Sequence, residues 1–146
     1  MNILVSSCLL GEPCRYDGQS RPVQILRELQ ALGHVLVPVC PEVLGGLPTP
    51  RSPAELQPGG RVLNRAGEDV TASYRTGARL ALETALAHQC SAAVLKEKSP
   101  SCGSGTVYDG TFSGRLVPGW GETARLLRAH GIRVLGESRA SELLEE

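Results

Sequence analysis

Five cysteines stand in this chain of 146 residues: Cys8, Cys14, Cys40, Cys90 and Cys102. Their odd number and the lack of any CxxC pair argue against a disulfide framework and against a zinc knuckle. Thiols in such a chain are reactive, metal-ligating or simply buried. Cys102 sits in Ser99-Pro100-Ser101-Cys102-Gly103, between a proline-stiffened turn and a glycine-rich stretch, surroundings that belong near a surface. Sets of thiolates favour iron–sulfur clusters or zinc. A closed structural site takes four ligands, whereas three cysteines leave a metal position open for chemistry.

Polar residues keep company with these thiols. Glu42 lies two residues after Cys40, where a carboxylate could act as general acid or base. Ser101, next to Cys102, offers a hydroxyl to the same place. Arg15, Asp17 and Arg51 fall on two long loops; they either orient a polar substrate or pin the loops to each other. Residues 103–114 are glycine-rich, but no GxxxxGK[ST] or GxGxxG opens a helix, which removes nucleoside triphosphate binding. Those glycines serve tight turns and close backbone approach instead.

The elements that must position these groups follow from periodicity. Residues 2–7, 34–39, 91–97 and 132–137 are short apolar runs that read as strands. Pro38 argues against a central place for the second. Helical spacing covers residues 23–33, 69–89 and 121–131, with a terminal helical turn at 138–146 that Ser138 could cap and a cap for the long helix at Asp69 or Thr71. Residues 11–22 have loop composition, residues 40–60 form a proline- and glycine-rich loop, and residues 61–70 suggest a small hairpin around Ala66-Gly67. Strands alternating with helices predict one α/β domain over residues 1–146. The expected form is a three-layer α/β/α sandwich with Rossmann-like winding and four parallel strands in the order 2-1-3-4.

On that frame Cys8 follows the first strand, Cys40 the second and Cys102 the third. Open parallel sheets bind ligands beyond the carboxyl ends of their strands, so three distant cysteines converge at one edge. Cys14, six residues after Cys8, stands as a fourth ligand or an alternative third. Cys90 ends a helix and reads as a small buried hydrophobe. Inert buried thiols, a zinc site without chemistry and metal-free thiol redox are the competing readings.

Composition narrows the partners. Fifteen basic and fifteen acidic residues balance, which gives no electrostatic case for a nucleic acid polymer or a membrane surface. The apolar runs are far too short to span a bilayer, and the start MNILVSS lacks the regions of a signal peptide. A soluble, cytoplasmic protein is the expectation.

Four segments carry a resemblance. SSCLLGEPCRYDG, VCPEVLGGLPTPRSPAE, EDVT and LKEKSPSCGSGTVYDGTFSG together resemble the family first described as domain of unknown function 523 and now associated with thiouracil desulfurases. The resemblance implies a [4Fe-4S] cluster held by Cys8, Cys40 and Cys102, with its fourth iron free to take sulfur from a thiolated base. It further implies Glu42 as catalytic acid or base with Ser101 assisting, and a non-redox conversion of C=S to C=O. A non-catalytic zinc module, or cluster-dependent sulfur chemistry on another thiolated substrate, is the alternative.

Overall fold

The structure, a computed structural model, describes residues 1–19 and 22–145. Ser20 and Arg21 of the expected loop 11–22, and Glu146 of the expected terminal turn, lie outside the described residues. Four branched, apolar runs form the central sheet: β1 (Asn2–Ser6), β2 (Val35–Val39), β5 (Ala92–Leu95) and β8 (Arg133–Gly136). They are parallel, in the order β2-β1-β5-β8, which is the predicted 2-1-3-4. β2 lies at the edge, where Pro38 removes no hydrogen bond on the open side.

Alternation along the strands builds the two cores. Ile3, Val5, Ala92, Val94 and Leu135 face α1 (Gln24–Ala31) and a C-terminal 3-10 helix (Glu137–Glu145), meeting Leu26, Leu29, Ala140 and Leu143. Leu4, Ala93, Leu95 and Val134 face the other way, against Leu82 and Ala85 of α3 (Thr71–Ala87) and Ala124 and Leu127 of α4 (Glu122–Ala129). The sheet is thus covered on both faces, as a parallel sheet requires. Cys90 is 8% exposed in the second core, as expected of a small hydrophobe, and burial pushes its thiol up. No helix among the described residues is long and apolar enough to cross a membrane.

Three features depart from the expected elements. The loop 40–60 contains a short helix, α2 (Pro41–Leu44), and a strand, β3 (Ala54–Leu56), which pairs antiparallel with β4 (Val62–Asn64). The small hairpin expected at 61–70 survives only as a turn and one bridge, Leu63 with Asp69. The glycine-rich stretch 103–114 is not all loop: β6 (Ser104–Tyr108) pairs with β7 (Leu116–Trp120) in a second hairpin. At the start of α3 the Thr71 N–H donates to Asp69 Oδ1 at 2.9 Å, the predicted carboxylate at that end. Ser138 does not cap its helix; its N–H donates to the Glu97 carboxylate at 2.6 Å.

Candidate metal centre

Each strand end delivers one thiol by a different local device. After β1 the chain turns into a 3-10 turn (Ser7–Leu10) that ends at Gly11, whose φ of +101° suits glycine, and Cys8 is buried within it. After β2, Cys40 precedes α2 with Pro41 in the first helical position, where its missing N–H costs nothing. Two glycines let α2 lie directly on α3: a Cβ on Gly45 would collide with the Ser73 carbonyl, and one on Gly77 with that of Pro41. After β5, the Ser99 side-chain oxygen accepts the N–H groups of Ser101 and Cys102, both at 3.1 Å. The carbonyls of Pro100 and Ser101 then accept the first N–H groups of α4 at 2.8–3.2 Å, so the turn caps that helix.

The thiols meet in a cavity of about 720 Å³ beyond the carboxyl edge of the sheet, lined by Cys8, Cys14, Cys40, Cys102, Glu42 and Arg51 among others. Cys14 therefore joins the three strand-end cysteines. Its thiol is tied to those of Cys40 and Cys8: the bond with Cys40 pulls its pKa down, but the bond with Cys8, burial and nearby negative charge outweigh this and raise it to about 11. The Cys40 thiol is pushed up by its bond with Cys14 and by burial, although the Val43 backbone at the start of α2 works in the opposite sense. Cys102, 3% exposed, is pushed up to about 12, chiefly by burial. Ser6 Oγ donates to Cys102 Sγ at 3.5 Å and itself accepts the Lys96 N–H at 2.9 Å, tying β1 to the end of β5.

The donor set fits a cationic metal group. Crowded, buried thiols that disfavour one another's ionisation become stable thiolates around positive charge. Among the described residues no three His, Cys, Asp or Glu side chains are arranged to hold a single metal ion. The thiols instead border a space much larger than one ion.

Glu42 is the carboxylate beside them. Tyr74 of α3 donates its phenol to Glu42 Oε2 at 2.8 Å, and Arg51 donates Nε to the same oxygen at 3.2 Å. Oε1 has no hydrogen-bond partner among the described residues. Tyr74 is 2% exposed, and its phenol is pushed up by burial and by the charge of Glu42. Arg51 spends the rest of its fork on the Pro48 carbonyl, Thr49 Oγ1 and the Cys14 carbonyl, at 3.1–3.2 Å. It thereby locks Glu42 to the loop that carries Cys14, a task a point-like ammonium could not perform.

The remaining predicted residues divide. Arg15 lines the cavity, and its guanidinium lies 3.9 Å from Asp17 Oδ2, but Asp17 does not line it. Ser101 is fully buried, shares a 2.8 Å bond with Thr123 Oγ1 and does not line the cavity; its hydroxyl also works to lower the pKa of the Cys102 thiol, against the larger effect of burial. Tyr74 and Ser6 were not singled out from sequence. Tyr74 falls on the apolar face of a helix, and a hydroxyl in that stripe is the one signal of a polar partner.

Thiols gathered from beyond three strands, beside a tethered carboxylate in the crevice of a parallel sheet, define an α/β protein with a cysteine-lined site. Its description among known families is specific: residues 3–139 match the 2-thiouracil desulfurase family, and the chain belongs to that family, as its motifs suggested. A solved structure described as "[4Fe-4S]-dependent thiouracil desulfidase TudS" is 51% identical, with a TM-score of 0.92 over 99% of this chain and 95% of that one. The uncharacterized protein YbbK of Bacillus subtilis (strain 168) is 44% identical over 151 residues, which is 97% of this chain and 99% of YbbK.

Proposed function

We propose that the chain is a [4Fe-4S]-dependent desulfidase that converts the C=S of a thiolated pyrimidine, such as 2-thiouracil, to C=O with release of sulfide. The observation that carries this reading is that four thiols and a tethered carboxylate line one cavity, in a chain 51% identical to a protein named for that activity. Cys8, Cys40 and Cys102 would hold the cluster, as the family motifs that carry them imply; Cys14 stands beside them in the same cavity. When bound, the cluster supplies a Lewis-acidic iron for the thiocarbonyl sulfur.

The protein's own residues do the rest. With Oε2 occupied by Tyr74 and Arg51, Glu42 presents Oε1 to a water and takes its proton as that water attacks the thiocarbonyl carbon. Oxygen replaces sulfur, the sulfur leaves as sulfide, and no net electrons move. Arg15 contributes a cation to the cavity lining. In this reading Ser101 supports the Cys102 sulfur rather than the substrate. The free thiols and balanced charge support a reducing compartment and a diffusible small substrate, not a nucleic acid polymer.

Anaerobic reconstitution followed by assay of sulfide release tests the reading. A brown protein with about four irons per chain is expected. Glu42→Gln should keep that iron while losing roughly 10²–10⁴-fold in turnover. A colourless protein that binds zinc and takes up no iron under these conditions would overturn the proposal.

A further inference from the structure

Residues of the two hairpins, Glu55, Tyr108 and Phe112 among them, line the thiol cavity, and the cavity as a whole gathers an unusual share of the aromatic residues. The chain has one Phe, one Trp and three Tyr. Four of these five, Tyr16, Tyr74, Tyr108 and Phe112, line the thiol cavity. In a chain so poor in aromatics, most of the large flat side chains border the site, Tyr74 from within the core.

Phe112 is the one that the fold makes an effort to hold. It lies at the tip of the β6–β7 hairpin with φ of +57°, a left-handed conformation that a bulky residue rarely adopts. The tip is fixed from β3. Glu55, a carboxylate only 9% exposed, accepts the N–H of Gly110 at 2.9 Å and the N–H of Phe112 at 3.2 Å, both on Oε1. Gln57 Nε2 donates to the Gly110 carbonyl at 3.1 Å. Gly110 itself lies so close to β3 that a Cβ there would come within 2.8 Å of the Leu56 carbonyl. A buried carboxylate is costly unless its bonds are made, and here its recorded bonds go to the backbone that presents one phenyl ring. The Arg65 guanidinium lies over that ring, 5.7 Å from its centroid, and both residues line the cavity.

A flat apolar face beside thiols and a carboxylate suits a planar heterocycle, since every base has a π-face to stack. We propose that Phe112 is the stacking platform for the pyrimidine ring of the substrate, and that Glu55 is the positioning residue that holds it there. This rests on the thiolated-pyrimidine reading above and adds to it how the ring is recognised.

The test uses reconstituted holoenzyme and two readouts: kcat and KM for 2-thiouracil, and the Kd of uracil by calorimetry. Uracil carries no sulfur, so it reports ring recognition apart from sulfur capture. Phe112→Leu should raise both KM and the uracil Kd by a factor of roughly 5–150, the range for loss of one base–aromatic stack. Iron content should stay at the wild-type level, and Phe112→Tyr should restore both constants. Glu55→Leu should raise KM as Phe112→Leu does, Glu55→Gln should not, and the double variant should be no worse than Phe112→Leu alone. An active wild type whose KM and uracil Kd are unmoved by Phe112→Leu overturns this proposal and leaves the desulfidase reading standing. A fall in iron content or in kcat alone assigns Phe112 another role and overturns it too. Additive Glu55 and Phe112 effects remove the positioning role of Glu55. A wild type that neither turns over 2-thiouracil nor binds uracil overturns both readings together.

Discussion

Replacing Gly77 by alanine sets two effects of opposite sign against each other. Gly77 lies inside α3, and helix propensity alone favours alanine there by about 1 kcal/mol. Packing opposes it. The added Cβ would collide with the Pro41 carbonyl, which is backbone at the start of α2 and cannot rotate aside as a side chain would. Overpacking typically costs about 1–3 kcal/mol, and a backbone obstacle belongs at the upper end. The net expectation is a loss of about 2 kcal/mol, seen as a fall of roughly 4–8 °C in Tm. The functional effect should be larger. To relieve the contact, α2 must retreat on the order of 1 Å, a displacement that costs roughly 10²-fold when it misplaces a reacting group. That helix carries Glu42 and follows directly on Cys40, whereas Tyr74 stays on α3, so the 2.8 Å bond between Tyr74 and Glu42 lengthens. Gly45→Ala meets the Ser73 carbonyl from the other side and should behave alike. Thermal melts of cluster-free protein and sulfide-release kinetics of reconstituted protein give the two readouts. A higher Tm with unchanged kcat for Gly77→Ala would show that propensity wins, and would refute the claim that close α2–α3 contact sets the position of Glu42.

Two further outcomes are expected. Cys102→Ser, at a buried position on the turn after β5, should abolish iron binding on anaerobic reconstitution, whereas Cys14→Ser should keep iron near the wild-type content; loss of the cluster in Cys14→Ser would exchange Cys14 for one of the assigned ligands. Asp69 has its carboxyl lowered to about 2, first by its bonds to Thr71 and then by Arg61. Because the folded value lies below the ordinary one near 3.8, the stability it contributes is present above that ordinary value and lost as pH falls towards 2. Asp69→Ala should therefore unfold at lower urea than wild type at pH 5, with the gap closing towards pH 2; a gap independent of pH would contradict the assignment.

What could be read from the sequence follows how local each determinant is. The four sheet strands are continuous apolar runs, and the alternation of Ile3 and Val5 against Leu4 onto two cores is encoded residue by residue. Cys8, Cys40 and Cys102 inherit their place from those strands, so their convergence was legible before any coordinates. The β6–β7 hairpin was not. It includes Gly105, Pro118 and Gly119, and of its ten paired positions only Val107 is buried. Such a ladder has neither the apolar content nor the alternation of a half-buried strand, and its place comes from contacts made elsewhere. β3 is three residues long between prolines and owes its existence to β4. Tyr74 reads as one more apolar position in a helix, and its partner Glu42 lies 32 residues away. For Ser101, proximity to Cys102 in sequence suggested a hydroxyl beside the cavity; the structure shows that hydroxyl bonded to Thr123 beneath the turn that caps α4.

This difference has a physical basis in the two tasks of the site. Holding a metal group demands ligands on elements whose geometry does not drift, and sheet ends provide that with local sequence signals. In the proposed reading, shaping the cavity around a particular substrate falls to segments that are held by a few long-range polar contacts: Arg51 to the Cys14 carbonyl, Glu55 to the backbone of Gly110 and Phe112. Changing one of those contacts moves a wall without disturbing the sheet. Relatives with the same cysteines but a different residue at position 55 or 112 would then keep the sulfur chemistry and differ in which thiolated ring they accept. The place to look for substrate divergence in this family is accordingly the hairpin tip and its clamp, not the strand-end thiols.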